Sequence, residues 1–223
     1  MHKIGWLKVI IWAQPILLVC LTSSCTRLDG ASRAVPLDEK QLATAVQVKP
    51  NATPLEKVLA NLIEQTTQTL SYDPAYVKLD YPNGDLPLER GVCADVVVRA
   101  LRKGGLDLQQ AVHEDMKTNF SAYPNKWRAR GTDRNIDHRR VANLMTWFAR
   151  QRKALPLSKQ AADYQPGAVV AWELSNGLLH IGMVSNVKVA GTDRYGVVHN
   201  INSGAKLEDV LFAWKIIGHY RYF

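Results

Sequence analysis

The sequence predicts an α+β fold, because helical patterns fill the first part of the chain and strand patterns fill the last third. After the capping box at residues 53–56, apolar residues recur every three or four positions. Four later segments are short, apolar and rich in β-branched or aromatic residues, and these are 169–174, 178–187, 195–201 and 216–222. Asn176-Gly177 predicts a tight hairpin between the first two of them. N-terminal helices packed on a C-terminal antiparallel meander are therefore expected.

The helices are predicted from their start and stop signals. One runs from Thr53 to about Leu70, with Pro54 at its first position. Another begins at Cys93 and stops at Gly104-Gly105, and its apolar face consists of Cys93, Val96, Val97, Ala100 and Leu101. Its three consecutive valines would also suit a strand. Two further helices are expected over 107–119 and over 137–153, the second with Asp137 as its N-cap.

Residues 1–25 have the layout of an export signal, with two lysines, an apolar run over 9–21 and then small polar residues. The apolar run is too short for a membrane span. The end of this segment resembles a bacterial lipoprotein box with Cys25 as the lipidated residue, although Thr22 stands where the box usually has Leu. A plain signal cleaved near Ser24 is the alternative. We therefore predict an exported protein, in the periplasm or held at the membrane only by a lipid anchor.

The rest of the chain divides into a tether and one domain. Residues 26–52 are polar with scattered apolar residues and prolines, which predicts a flexible tether, and residues 53–223 form the domain. The net charge of +8 favours an anionic partner, such as the cell wall or lipid head groups. No basic run is interleaved with aromatic residues, which argues against nucleic acid.

Cys93 is the only cysteine outside the predicted signal and its boundary. Exported compartments are oxidising, so an unpaired thiol there is expected to be either buried or used. The N-terminus of a helix favours a thiolate through its N–H groups and its dipole. A cysteine on an apolar helix face is nevertheless more often a core residue than a nucleophile.

Two histidines on successive predicted strands offer a base and a group to orient it. His180 lies in LLHIGMV and His199 in GVVHNI. Strand alternation places His180 and Gly182 on one face, and the glycine leaves room for a neighbouring element. If these strands form a hairpin, the histidines lie within a pair or two of each other. A strand histidine is also commonly a satisfied polar residue, so both interpretations stay open.

The order of these residues resembles the NlpC-type branch of papain-like cysteine peptidases, which cleave amide bonds in bacterial cell-wall peptides. The chain more closely resembles a conserved bacterial envelope family of unknown function that is grouped with those peptidases. This resemblance covers roughly residues 55–223 and rests on GVCADVVVRAL, DLQQAVHEDM, DRNIDHRRVANL, HIGMVSN, HNI and GHYRY. One departure is Ala168 in Pro166-Gly-Ala168, where such proteins usually have Asp.

The resemblance implies a papain-like fold and a set of roles. Cys93 would be the nucleophile, His180 the base, and His199 the third member, with Asn200 as its alternative. A tyrosine about a dozen residues before the cysteine often lines such sites, and Tyr81 is placed to match.

The segment DRNIDHRR, residues 133–140, has its own interpretation. Its acidic residues and histidine have no standard metal spacing, so we predict neither a metal nor a cofactor. Arg139 and Arg140 would suit the carboxylates of wall peptides, and Asp95 joins them in the expected substrate-binding set. A helix-start ion-pair network is the alternative for this segment.

The predicted function is an exported thiol hydrolase that cleaves amides of peptidoglycan stem peptides or cross-links, with His180 holding the Cys93 thiolate as an ion pair. The first alternative keeps the triad but transfers an acyl group. The second is an envelope lipoprotein that binds wall peptides without catalysis.

Overall fold

The computed structural model describes residues 34–37, 39–124 and 127–223. The predicted signal with Cys25, and residues 26–33 of the predicted tether, lie outside the described residues. Five α-helices are present in the described part, and their bounds are α1 Glu39–Val46, α2 Pro54–Gln68, α3 Cys93–Lys103, α4 Leu108–Asn119 and α5 Val141–Arg150. None of these helices is long and apolar enough to cross a membrane.

The strands form two sheets. A short parallel pair, β1 Ser71–Tyr72 and β2 Arg90–Gly91, precedes α3. The main sheet has the order β6-β5-β4-β3-β7 and is antiparallel throughout. Its strands are β3 Val169–Glu173, β4 Leu179–Lys188, β5 Tyr195–Asn200, β6 Ala205–Glu208 and β7 Lys215–Tyr220. Helices packed on a five-stranded antiparallel sheet confirm the predicted α+β class.

Alternating strand residues divide the core between the two faces of the main sheet. On one face, Ile181 and Met183 pack with Cys93 and the apolar sides of α2 to α5. On the other face, Trp172 and Val184 belong to a smaller cluster that is completed by Tyr164, Ala168, Val170, Val197, Val210 and Leu211. The sheet is therefore buried on both sides, which explains why its central strands are nearly continuously apolar.

Several details differ from the sequence prediction, and the short strands β1 and β2 are among the elements that were not predicted. Asp137 does not cap α5, because residues Asp137–Arg139 form a 3-10 turn and Arg140 is the cap residue of the helix. The segment assigned to a tether contains α1, and Val35 and Leu37 just before it pack against the core. Strand β6 was not predicted, although Asn202-Ser-Gly204 between β5 and β6 is a turn signal.

Candidate active site

Cys93 is the first residue of α3 and is only 5% exposed. The helix begins there because Asp95 accepts a hydrogen bond of 2.6 Å from the backbone N–H of Val92, and this substitutes for a polar residue at the N-cap. The sulfur accepts a hydrogen bond from the backbone N–H of Ile181, the residue that follows His180 on β4. Helix α3 thus places the thiol against the backbone of the strand that carries the predicted base.

Burial raises the pKa of the Cys93 thiol to about 11, and the negative charge of Asp95 acts in the same direction. The backbone N–H groups of Ile181, Ala94 and Cys93 oppose this shift but do not overcome it. The cost of desolvating a thiolate is therefore larger than the stabilisation from the helix N-terminus. In the unliganded protein Cys93 is a neutral thiol at neutral pH.

The two predicted histidines are brought together and continue into a carboxylate. His180 Nε2 lies 2.9 Å from His199 Nδ1, and His199 Nε2 lies 2.9 Å from Glu208 Oε2. Gly182 pairs with His199 across β4 and β5, and a Cβ atom at Gly182 would lie 2.9 Å from the His199 Cβ. The predicted role of this glycine is confirmed, because a larger residue would push His199 away. We call His180, His199 and Glu208 the histidine row.

The row is enclosed by aromatic rings on the face of the sheet that points away from α3. Trp214 makes edge contacts with both histidine rings, and Trp172 lies beside His180. Burial lowers the pKa of His180 to about 3, and the neighbouring His199 adds to the shift. His180 is therefore neutral at neutral pH, and the unliganded site holds a thiol and an imidazole instead of the predicted ion pair.

Cys93 and His180 open into two neighbouring cavities. The cysteine cavity has a volume of about 420 Å³ and is lined by Cys93, Arg140 and Trp127 among others. The histidine cavity, of about 340 Å³, is lined by His180 and Trp214 among others. Both cavities share a common wall, formed by Tyr72, Leu178 and Leu179. Within the described part of the chain, Cys93 and His180 make no hydrogen bond to each other.

Tyr72, rather than Tyr81, is the tyrosine at the cysteine. Tyr72 lines both cavities, and burial raises its pKa to about 12. The charge that Cys93 acquires at high pH and the charge of Asp95 act in the same direction. Tyr81 donates a hydrogen bond of 2.5 Å to Glu114 and packs on His113, away from both cavities. The spacing to the cysteine did not locate the tyrosine, because β1 pairs with β2 and returns Tyr72 to the start of α3.

Arg139 and Asp95 form an ion pair, and Arg139 also binds the loop before α3. The Arg139 guanidinium donates to both Asp95 oxygens, and its two terminal nitrogens donate to the carbonyls of Ala75 and Asp73. Both side chains are nearly inaccessible to solvent. The structure therefore uses these two predicted substrate-binding residues for the architecture of the site.

Arg140 differs from its neighbour. Its guanidinium lies 4.2 Å from the centre of the Trp127 ring and 3.4 Å from an Asp137 oxygen, and it lines the cysteine cavity. Arg139 and Arg140 both line the cysteine cavity, but Arg139 is nearly inaccessible and paired with Asp95, so Arg140 is the more accessible of the two charges beside the thiol.

Asn200, the alternative third member, is completely buried and points elsewhere. Its amide nitrogen donates to the carbonyls of Gly91 and Ser71, so it ties the end of β5 to the β1–β2 pair. His199 occupies the third position next to His180. Sequence reasoning missed Glu208, because its role depends on strand β6; the turn signal before β6 would have indicated that strand.

No group of three or more His, Cys, Asp or Glu side chains in the described ranges is arranged to hold a metal ion.

The fold and the site define an α+β protein with a buried cysteine at a helix N-terminus beside a buried histidine pair. The chain belongs to the DUF1287 family, which is described as a domain of unknown function and matches residues 59–222. It is 51% identical over 209 residues to the uncharacterized protein YijF of Escherichia coli strain K12, covering 92% of this chain and 96% of that protein. No solved structure matches the chain.

Proposed function

We propose that this protein is an exported cysteine hydrolase that cleaves an amide bond in peptidoglycan stem peptides or cross-links. The observation that carries the proposal is the hydrogen bond between His180 on β4 and His199 on β5, together with the contact between the Cys93 sulfur and the backbone N–H of Ile181, the residue after His180. Nucleophile, base and orienting group are the three parts that thiol catalysis needs. The same order of residues supports the relationship to NlpC-type papain-like peptidases that the sequence resemblance implies.

The proposed reaction starts from neutral groups. The proton of the Cys93 thiol passes to His180 where the two cavities adjoin, at the end of the strand, and the sulfur attacks the carbonyl carbon of the amide. The imidazolium then gives its proton to the departing amine as the C–N bond breaks, and water hydrolyses the resulting thioester. The backbone N–H of Cys93 contributes to the oxyanion hole. Because Cys93 and His180 open into adjoining cavities, the scissile carbonyl is expected at their common wall beside Tyr72.

Substrate binding is proposed to begin in the cysteine cavity. A guanidinium stacked on an indole presents its edge to a planar carboxylate, and stem peptides carry free carboxylates. We expect Arg140→Gln to raise KM for wall peptides by about tenfold, corresponding to one charge-assisted hydrogen bond, while kcat changes little. Steady-state kinetics on a defined stem peptide test this, with Arg134→Gln as a control, since Arg134 lies over Tyr81, away from both cavities. An unchanged KM would contradict the clamp.

The hydrolase itself is tested by incubating the protein with purified wall material and identifying fragments by mass. Cys93→Ala and His180→Ala are expected to release no fragments above background. His219→Ala is the matched control, because His219 is an equally buried histidine of the same sheet that packs on Tyr164. Identical fragments from the wild type and Cys93→Ala would refute hydrolysis and, if the protein sediments with the wall, leave a binding role. Adducts with an added amine would indicate acyl transfer.

A further inference from the structure

We propose that Glu208 is a positioning residue that sets the tautomers of both histidines, so that the lone pair of His180 is presented at Nδ1. Its catalytic meaning rests on the proposed hydrolase function, whereas its structural content does not. Glu208 is the last residue of β6 and pairs with Val197 on β5, which brings its carboxylate to the far end of the histidine row.

The hydrogen bonds of the row define its proton positions from the carboxylate inward. In its ionised form, which is part of the proposal, the Glu208 carboxylate only accepts hydrogen bonds, so the proton between Glu208 and His199 belongs to His199 Nε2. In a neutral imidazole the other nitrogen is then an acceptor, and His199 Nδ1 must receive a hydrogen bond from His180 Nε2. With its proton on Nε2, His180 keeps its lone pair on Nδ1.

The burial of both histidines limits which proton positions are possible in the row. His199 is fully buried, and His180 is only 3% exposed. Both nitrogens of His199 make hydrogen bonds within the row. If the proton of His199 were on Nδ1 instead, the unprotonated Nε2 would face the carboxylate, and two acceptors would lie together with no proton between them. A carboxylate at position 208 therefore favours one proton order, in which His180 donates to His199 and His199 donates to Glu208.

This proton order decides whether His180 can accept a proton from the Cys93 thiol. Within the described chain, Nε2 of His180 is committed to His199, and Nδ1 is the nitrogen left to accept a proton from Cys93. In the reversed order Nδ1 would carry a proton and could not act as a base. Glu208 is thus proposed to keep Nδ1 of His180 unprotonated through its hydrogen bond to His199, without contacting the thiol or the substrate.

Nitrogen-15 NMR of the full chain, labelled at histidine, tests the proposal without any substrate. In the wild type we expect His199 protonated on Nε2 only and His180 protonated on Nε2 only. Glu208→Gln can both donate and accept and should give mixed tautomers, and Glu208→Lys can only donate and should put the proton of His180 on Nδ1. Glu173→Gln, at an exposed glutamate of β3 that pairs with Lys215, is the control and should resemble the wild type.

Wild-type tautomers that persist in both Glu208 variants would overturn the proposal, and so would a doubly protonated His199 in the wild type. Well-dispersed amide spectra show whether each variant is folded, and the isosteric Glu208→Gln preserves the test if Glu208→Lys does not fold. If hydrolysis is established, Glu208→Lys should lower kcat by about 100-fold with little change in KM, as expected for loss of a general base, and Glu208→Gln should lower kcat less, in proportion to the fraction of His180 protonated on Nδ1. Failure of hydrolysis leaves the NMR result intact, so the two proposals fail separately.

Discussion

At the scale of single residues, the protonation of Cys93 is decided by burial. Its sulfur receives backbone N–H groups at a helix start, which by themselves would favour a thiolate. The surrounding core has a larger opposite effect and keeps the thiol neutral. A cysteine in this form is protected from oxidation and alkylation, because the thiolate is the reactive species.

We therefore predict that Cys93 in the unliganded protein alkylates slowly, with a rate that rises towards a pKa of about 11. In urea the same residue should follow an ordinary thiol titration near about 8.5. Iodoacetamide labelling across pH, followed on the peptide that contains Cys93, measures both. A native midpoint at or below the unfolded one would show that a thiolate is already stabilised at rest.

At the scale of elements, the start of α3 depends on a buried ion pair. Asp95 caps the helix through Val92, and Arg139 joins that carboxylate to the loop carbonyls of Asp73 and Ala75. One guanidinium thus connects α3 to the residues just after β1. This explains how a helix without a polar N-cap residue keeps its cysteine in place.

Asp95→Ala is expected to lower the free energy of unfolding by about 3–5 kcal/mol, because it leaves the buried Arg139 charge unpaired. Glu173→Gln is the matched control, since it breaks the exposed pair with Lys215 and should cost less than about 1 kcal/mol. Urea unfolding at neutral pH measures both values. Equal losses would mean that Asp95 and Arg139 contribute no more than a surface pair.

At the scale of the whole molecule, the fold keeps histidines buried in the neutral form. Burial lowers the pKa of His180 to about 3 and that of His138 to about 4, and Arg139 contributes to the second shift. In the unfolded chain both groups titrate near about 6.5. Between these values the unfolded state binds more protons than the native state, so stability falls as the pH is lowered.

We predict that stability decreases from about pH 6.5 downwards, by up to about 1.4 kcal/mol per pH unit for each of the two histidines. The decrease should end for each residue below its native pKa. His180→Gln should lower the slope of stability against pH by up to about 1.4 kcal/mol per pH unit, which is the contribution of one titrating histidine. His219→Gln serves as the control. Urea unfolding at several pH values between 5 and 7 measures the slopes. Equal slopes for His180→Gln and the wild type would show that His180 is not held neutral by the fold.

Much of the fold was predictable because its signals are local. The capping box at Thr53, the stop at Gly104-Gly105 and the hairpin at Asn176-Gly177 each act over a few residues, and the structure places helix and strand ends within three residues of them. Asp137 was misplaced as a cap because the residues after it form a 3-10 turn first.

The sequence by itself determined α2 to α5 and most of the strands, and it identified Cys93, His180 and His199 as candidates, since residue type and periodicity can be read directly from the chain. Only the tertiary structure decided that Tyr72 replaces Tyr81 and that Glu208 ends the histidine row. It also decided that Arg139 is buried against Asp95, while Arg140 is the more accessible arginine of the cysteine cavity. It also decided that thiol and imidazole are neutral at rest. The reason is physical: protonation and pairing depend on burial and on contacts between residues that lie far apart in sequence.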